Sequence, residues 1–162
     1  MSLAKKGVAR YTKKAMPTLA DNRKVLFDYE ILERYRAGIV LFGFEAKACQ
    51  RGMAQLRGSF VIIRGGEAFW IGGVIAPYQP ANTPAWYTSD RTRKLLLKKD
   101  ELAELAGKAA QKGLTLIPVS LYTERHKVKL EFGLARSKKK FEKREHMKKR
   151  EFERIRDRVM KE

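Results

Sequence analysis

The sequence predicts a mainly β domain with flanking helices, most simply a small closed barrel of about six strands. Between residues 21 and 135, short alternating or continuous apolar runs outnumber helical patterns, and glycine-rich turns join several of them. The excess positive charge lies mostly outside these runs. Because closing a sheet removes its exposed strand edges, a barrel is the economical arrangement for so short a domain.

The first half of the predicted domain contains two extended runs and a short helix. Residues 27–35 alternate aromatic or aliphatic with charged side chains, which predicts a half-buried strand. Residues 37–43 form a second extended run that is more continuously apolar, and residues 45–51 are consistent with a short helix before Gly52. Two strands followed by one helical turn are therefore expected here.

A hairpin is predicted next. Residues 59–64 read as a strand, and Gly65 with Gly66 forms a two-residue turn, because glycine adopts positive φ without penalty. Residues 67–75 are the returning strand, which Gly72 and Gly73 should loosen. The segment 76–90 that follows is rich in proline and turn residues, and it is predicted to be a long loop.

The long loop carries Tyr78, Trp86 and Tyr87, and the basic residues 91–94 follow it. Such aromatic rings can stack on bases while arginine and lysine grip phosphates. The alternative is that the rings cap the barrel and the cations are solvated. Residue types alone do not choose between these two interpretations.

The second half of the domain holds the best helical pattern. Residues 94–112 have leucines and alanines at near-helical spacing, with Asp100 as the predicted N-cap and Gly113 at the C′ position. Residues 114–122 are a predicted strand that Pro118 should place at an edge or a bulge. Residues 127–134 alternate again, and Gly133 is expected to mark the strand end.

The charge distribution divides the 162 residues into three parts. Of the net charge of +18, residues 1–24 carry +6 and residues 136–162 carry +7, which leaves a nearly balanced middle. We therefore expect a flexible basic N-terminal arm over 1–20, a barrel over 21–135 and a basic tail over 136–162. Positive ends of this kind indicate a phosphate-bearing partner, and neither end has the strong apolar face that a membrane would bury.

The tail holds 13 Lys/Arg and 6 Asp/Glu without a glycine or proline. Its few apolar residues, such as Phe152, Ile155 and Val159, make only a narrow stripe, so it cannot form a core by itself. The stripe either packs against the barrel or belongs to a helix that forms inside an RNA-lined channel.

Catalysis is not indicated. The sequence has no His/Cys metal spacing, no G-x-S-x-G motif and no phosphate-binding Walker loop, so neither a metal nor another cofactor is expected. Cys49 is the single cysteine and is expected to be a buried thiol. With no secretory signal and no long apolar stretch, a cytoplasmic location is expected.

Several strings of residues carry a resemblance to a known family. They are Asn-Arg-Lys (22–24), Ala-Gly-Ile-Val-Leu (37–41), Glu-Ala-Lys (45–47), Gly-Glu-Ala-Phe (66–69), Arg-Lys-Leu-Leu-Leu (93–97), Gly-Leu-Thr-Leu-Ile-Pro (113–118) and Gly-Leu-Ala-Arg (133–136), together with Gly43 and Gly52. In this order they closely resemble the SsrA-binding proteins (the SmpB family) of bacterial trans-translation, over about residues 20–150.

The resemblance implies a six-stranded barrel of the oligonucleotide-binding (OB) type with flanking helices. It implies an RNA-binding adaptor without enzymatic activity, which binds the tRNA-like domain of transfer-messenger RNA (tmRNA) and delivers it to stalled ribosomes. The tail would then enter the empty decoding site and the mRNA channel, becoming helical among rRNA phosphates. Elongation factor Tu and alanyl-tRNA synthetase would be partners through tmRNA.

Carried over by position, the resemblance also implies two sets of site residues. The RNA-binding set is Asn22, Arg23, Lys24, Phe27, Glu45, Lys47, Arg91, Arg93, Lys94, Leu96 and Lys129. The ribosome-binding set in the tail is Lys138, Lys139, Lys140, Phe141, Glu142, Lys143, Arg144, Lys148, Lys149 and Arg150.

Arg36 departs from the family, which usually has glutamate at this position, and its role is left open. The alternative function is a generic OB-fold RNA chaperone. A hydrolase is disfavoured, because the catalytic groups it would need are missing.

Overall fold

The computed structural model describes residues 16–160. The strands are β1 (Thr18–Asp21), β2 (Tyr29–Ile39), β3 (Ala54–Gln55), β4 (Phe60–Arg64), β5 (Glu67–Ile71), β6 (Val74–Ile75), β7 (Arg93–Leu96), β8 (Leu114–Glu124) and β9 (Lys127–Ser137). The α-helices are α1 (Arg23–Asp28), α2 (Gly43–Gln50), α3 (Lys99–Ala109) and α4 (Lys140–Val159), and Pro80–Asn82 forms one 3₁₀ turn.

Six strands close on themselves. The antiparallel pairings run β8–β4–β5–β7–β2–β9, and β9 pairs back onto β8, so that every strand of this ring has a neighbour on each side. The ring confirms the six-stranded closed barrel that the sequence predicted. Strand β1 is added to one end of β8, and β3 pairs with β6 as a separate short ribbon.

The barrel interior is filled by alternating apolar side chains. In β9, Val128, Leu130 and Phe132 are buried, as their alternation with Lys127 and the other charged residues predicted. Leu105 of α3 is also fully buried and belongs to the same core cluster, which shows that this helix covers part of the barrel.

The two extended runs predicted at 27–35 and 37–43 are one strand in the structure, and that prediction was wrong in its boundaries. Strand β2 runs unbroken through Gly38 because it pairs with β9 on one side and with β7 on the other. Phe27 lies instead in α1, where Val25 packs against Ile117 and Val119 of β8. The packing of α1 against β8 therefore outweighs the alternating pattern of residues 27 and 28, the first two residues of the predicted strand 27–35.

The helix predicted at 94–112 was too long at both ends. Leu95 lies in β7 and is buried in the core, because its strand completes the ring between β5 and β2. The helix begins at Lys99, its N-cap position is occupied by Lys98 rather than Asp100, and it ends at Ala109. Gly113 has a φ of +82° but lies directly before β8, beyond the C′ position of the helix.

Three other details bear on the predictions. The register of β8 and β9 shifts next to Pro118, which confirms the predicted bulge. Gly133 does not end its strand, as had been expected, because β9 continues to Ser137. A Cβ atom at Gly133 would lie 2.8 Å from Cγ2 of Ile31, so the glycine leaves room for a side chain from β2.

Strand β1 begins at Thr18 and includes three residues that the sequence analysis assigned to the N-terminal arm. Residues 1–15 of the arm lie outside the described residues, so the predicted flexibility of the arm stays a prediction. The single returning strand predicted at 67–75 is two strands in the structure, β5 and β6. The break between them falls at Gly72 and Gly73, where loosening was expected. None of the helices within residues 16–160 combines the length and the apolar character that crossing a membrane requires.

Gly73 is expected to be the least replaceable glycine of the barrel. A Cβ atom there would lie 1.9 Å from Cζ2 of the fully buried Trp70 ring, and overpacking a rigid core is costly. We expect Gly73→Ala to lower the free energy of unfolding by about 3 kcal/mol. Gly107→Ala is the matched control: nothing lies within 4 Å of its Cβ, and in a helix the change should stabilise by about 0.5–1 kcal/mol. Urea denaturation of both variants checks this, and equal effects would contradict it.

Candidate nucleic-acid interface

A buried carboxylate organises one side of the barrel. Glu45 lies in the first turn of α2 with no exposed surface, and its Oε2 accepts a hydrogen bond from the Phe42 backbone N–H at 3.0 Å. Its Oε1 accepts from Nε of Arg91 at 2.9 Å and from Nη2 of Arg93 at 2.9 Å. The Tyr87 hydroxyl donates to the same oxygen at 3.1 Å. One carboxylate thus holds helix α2, the long loop and strand β7 together.

Arg93 is also completely buried, and all of its polar contacts are internal. Its guanidinium donates to the backbone carbonyls of Gly73 and Ser89, each at 2.8 Å, and it lies 5.3 Å from the centroid of the Trp70 ring. A buried charge is tolerated only when it is paired and hydrogen-bonded, and Arg93 meets both conditions. Neither Arg93 nor Glu45 presents a surface to a ligand, so within the predicted RNA-binding set both are positioning residues.

The buried ion pairs set the protonation of Glu45. Burial by itself would raise the pKa of this carboxyl, but hydrogen bonds from Arg91 and Phe42 and the charge of Arg93 outweigh it and hold the pKa below the ordinary value of 4.5. A group with a depressed pKa stabilises the fold above its ordinary pKa and loses that contribution as the pH falls through the folded-state value.

A pH dependence follows from this carboxylate. We expect the stability difference between the wild-type chain and Glu45→Gln to be constant above pH 5 and to shrink as the pH falls below the ordinary carboxyl value of 4.5, because only the wild type has a carboxylate to protonate. Denaturation midpoints at pH 7, 4 and 3 measure it. A difference that widens on acidification would contradict the low pKa.

A second group of predicted residues lies in one row across the barrel surface. Backbone pairing places Leu96 opposite Gly38 and Gly38 opposite Lys129, and residues directly opposite each other share a face. A Cβ on Gly38 would touch Cβ of Leu96 at 3.4 Å, so the glycine lets the leucine side chain lie across the strand. Lys129 forms an ion pair with Glu124, and Leu96 is 54% exposed. This row is an accessible surface with an apolar and a cationic end.

Two further cations lie beside that row. Lys94 is exposed on β7 and forms an ion pair with Glu67 at the β4–β5 hairpin. Arg36 lies on β2 with its guanidinium 5.5 Å from the centroid of the Tyr122 ring. Arg36 therefore adds positive charge beside Lys129, on the face where the family usually has glutamate.

The third group lies around α1. Asn22 is buried, and its side-chain amide donates to the Pro118 carbonyl at 3.1 Å, which fixes the start of the helix against β8. Arg23 has a side chain that is 92% exposed, and Lys24 lines an open groove of about 370 Å³ between α1 and residues 57–60. Asn22 thus positions the helix while the two cations after it are available to a ligand.

The tail is helical and almost entirely solvent-exposed. Helix α4 has no buried residue, and it touches the domain only near its first turns. Lys143 forms an ion pair with Asp28 at 3.3 Å, and the His146 ring meets the Phe27 ring edge-on at 6.0 Å. Lys138, whose Nζ donates to the Leu26 carbonyl, and Lys143 are thereby brought next to α1, whereas Lys148, Lys149 and Arg150 are exposed farther along the helix. That the tail is helical only on the ribosome stays a prediction.

An exposed aromatic cluster includes two rings that the sequence analysis did not select. Phe42 and Phe44 flank the glycine at which α2 begins, and they stack with centroids 5.4 Å apart. Trp86 meets Phe42 at 5.4 Å, and Tyr87 meets Phe44 at 4.9 Å. The signal for these rings was present in the sequence as two aromatic residues just before Glu45, but only the fold brings the long loop to them.

The single cysteine of the chain, Cys49, is buried and free of a disulfide. Burial raises the pKa of the Cys49 thiol to about 12, so it is not a thiolate at neutral pH. Within residues 16–160, three or more His, Cys, Asp or Glu side chains nowhere gather closely enough to hold a metal ion.

Comparison with known proteins agrees with this geometry. A sequence model of the SmpB protein family matches residues 19–162. The chain belongs to the SmpB family. It is 50% identical over 144 residues to the SsrA-binding protein of Cupriavidus taiwanensis, covering 89% of this chain and 97% of the relative. It is 48% identical over 145 residues to that of Ralstonia pickettii, covering 90% and 98%.

The fold of the SmpB family is matched as well. A solved structure described as "tmRNA-SmpB: a journey to the center of the bacterial ribosome" superposes with a TM-score of 0.63 at 46% sequence identity. The match covers 74% of this chain and 84% of the other.

Proposed function

We propose that this chain is an RNA-binding adaptor of trans-translation. It binds the tRNA-like domain of tmRNA and delivers it to stalled ribosomes, where the tail probes the empty decoding site and the mRNA channel. Membership of the SmpB family over residues 19–162 carries the proposal, and the solved tmRNA–SmpB structure supports it. Elongation factor Tu and alanyl-tRNA synthetase become partners through the bound tmRNA, in the cytoplasm.

The geometry supports a division of roles within the predicted set. Exposed residues make direct contacts, and they are Arg23, Lys24, Lys47, Lys94 and Leu96, with the half-buried Phe27 and Lys129. Buried Asn22, Glu45 and Arg93 hold these elements in place, helped by Arg91. Chemistry on the RNA is not part of the proposal: the protein acts by binding and positioning.

The test is the binding of an isolated tRNA-like domain of tmRNA. Association that neutralises several phosphates makes log K fall with log salt by about 0.7–0.9 per phosphate. Lys24→Ala and Lys129→Ala should each weaken binding and reduce that slope by about one. Lys112→Ala, which removes an exposed lysine in the turn between α3 and β8, is the control and should change neither quantity.

Two outcomes would count against the adaptor. A salt-independent affinity would exclude phosphate recognition as the main driving force. Equal affinity for an unrelated folded RNA in competition would favour the generic OB-fold RNA chaperone, because an adaptor must discriminate a tRNA-like shape. Release of labelled RNA fragments during incubation would point to a hydrolase.

A further inference from the structure

The aromatic cluster beside α2 lies next to an open groove of about 350 Å³, lined among others by Phe44, Lys47, Tyr78 and Asn82. Together with Phe42 and Trp86 these residues form what we call the aromatic groove. Trp86 is 65% exposed although it is one of the two tryptophans of the chain, whereas Trp70 is completely buried. A large exposed aromatic surface of this kind indicates a binding site.

The rim of the aromatic groove is cationic. The Arg91 guanidinium lies 4.2 Å from the centroid of the Phe42 ring, and that of Arg51 lies 5.8 Å from the Tyr78 ring. Lys47 is exposed on the same helix. Glu45, the carboxylate that Arg91 contacts, is buried and shared between Arg91 and Arg93, so it offsets part of the charge of Arg91 and leaves Lys47 and Arg51 as the main cations of the rim.

Rings interleaved with cations favour one occupant. Unpaired nucleotides offer flat bases to the rings and phosphates to the cations, which is how proteins bind single-stranded nucleic acid. A second copy of this chain would bring two positive rims together on molecules that each carry a net charge of +18. An apolar protein partner would leave the charges of Lys47 and Arg51 unmatched.

We propose that the aromatic groove is a second RNA site, which binds unpaired nucleotides by stacking a base on Trp86. The proposal rests on the proposed RNA-binding function: it assigns Lys47, one of the exposed residues of that function, to a separate site on α2 and the long loop. The row of Gly38, Leu96 and Lys129 lies on other elements, the strands β7, β2 and β9. The adaptor would therefore hold folded RNA on the barrel and a single-stranded segment in the groove.

The rings of the aromatic groove differ in how much of their surface is already in contact with other residues. Phe42 is already engaged by Phe44 and Arg91, and the Tyr87 hydroxyl lies within hydrogen-bond distance of both Glu45 Oε1 and the Ile75 carbonyl, the latter at 2.8 Å. These rings form a rigid base for the groove. Trp86 contacts the cluster only through Phe42 among the ring contacts of the described residues, so most of its surface remains open to a base.

The test uses the full chain and hexa-adenylate, with tryptophan fluorescence as the signal. Because Trp70 is buried, quenching by hexa-adenylate reports on Trp86. We expect quenching and protection from acrylamide on binding, and we expect Trp86→Ala to weaken hexa-adenylate binding about tenfold. Trp86→Phe should retain most of the affinity. Leu32→Ala, which truncates an exposed apolar side chain on β2, is the control and should bind as the wild type does.

The outcomes separate this proposal from the proposed function. Hexa-adenylate binding that leaves the emission unchanged, or that is unaffected by Trp86→Ala, would show phosphate contacts alone and overturn the stacking site. No binding of hexa-adenylate by a protein that still binds the tRNA-like domain would overturn the groove and leave the adaptor standing. Failure to bind either RNA would overturn both. Dissociation of an oligomer by Trp86→Ala in sedimentation velocity would assign the groove to self-association instead.

Discussion

Replacing Arg93 with alanine is expected to lower the free energy of unfolding by about 3–5 kcal/mol, because it breaks a buried, hydrogen-bonded ion pair. The change removes one of the two guanidinium partners of Glu45 and the hydrogen bonds that the guanidinium donates to the Gly73 and Ser89 carbonyls, although Ser89 keeps the backbone N–H of Ile75 as a donor. It also leaves a cavity beside the Trp70 ring, where the guanidinium now packs. Few single substitutions in this chain combine so many losses.

Guanidinium chloride denaturation of the purified chain measures this effect. Arg64→Ala is the matched control, because Arg64 is an exposed arginine at the end of β4 and should change stability by no more than about 0.5 kcal/mol. Arg93→Lys should recover only part of the loss, since lysine keeps the charge but cannot reach both carbonyls and Glu45 with a planar fork. A stability of Arg93→Ala equal to that of the control would show that the buried network does not hold the loop.

Deleting residues 140–162 is expected to abolish rescue of stalled ribosomes while leaving affinity for the tRNA-like domain within a few-fold of wild type. The truncation keeps all of β9 and the two hydrogen bonds that Lys138 makes to Leu26 and Asp28, and it removes the ion pair of Lys143 with Asp28 and the contact of the His146 ring with Phe27. The removed segment holds ten Lys/Arg and six Asp/Glu, and its helix has no buried residue. The charged surface of this helix is therefore free to bind a partner outside the domain.

Peptide tagging on ribosomes stalled without a stop codon measures rescue, and filter binding measures RNA affinity. Lys143→Ala combined with Arg144→Ala should reduce rescue less severely than the deletion, because eight of the ten basic residues remain. A hundredfold loss of RNA affinity on truncation would contradict the division between barrel and tail. Full rescue by the truncated chain would show that the tail is dispensable.

Much of the barrel could be predicted from local patterns. The Gly65–Gly66 hairpin, the alternation in β9 and the bulge beside Pro118 are set by nearby residues, through positive φ, two-residue periodicity and the missing proline N–H. The errors fell where a pattern was ambiguous. Leu95 fits a helix and a strand equally well by spacing, and only its partners Ala68 and Ile39 decide that it is a strand residue.

The candidate site was predictable by position but not by role. The basic residues after the long loop were expected to grip phosphate, yet Arg93 is buried while its neighbours Thr92 and Lys94 are exposed. Side chains along β7 point alternately inward and outward. The sequence does not reveal whether Arg93 or its neighbours point toward Glu45. The aromatic groove was missed in part for a different reason: Phe42 and Trp86 are far apart in the chain, and only the fold brings them together.

The sequence by itself determined that this chain has a β-rich domain with a basic, uninterrupted tail and a charge suited to RNA, because composition, periodicity and charge are local properties. The tertiary structure alone decided that Glu45 and Arg93 are internal supports, and that Trp86 lies open beside a cationic groove. Burial depends on contacts between residues distant in sequence, and a chain's spacing does not specify those contacts before it folds.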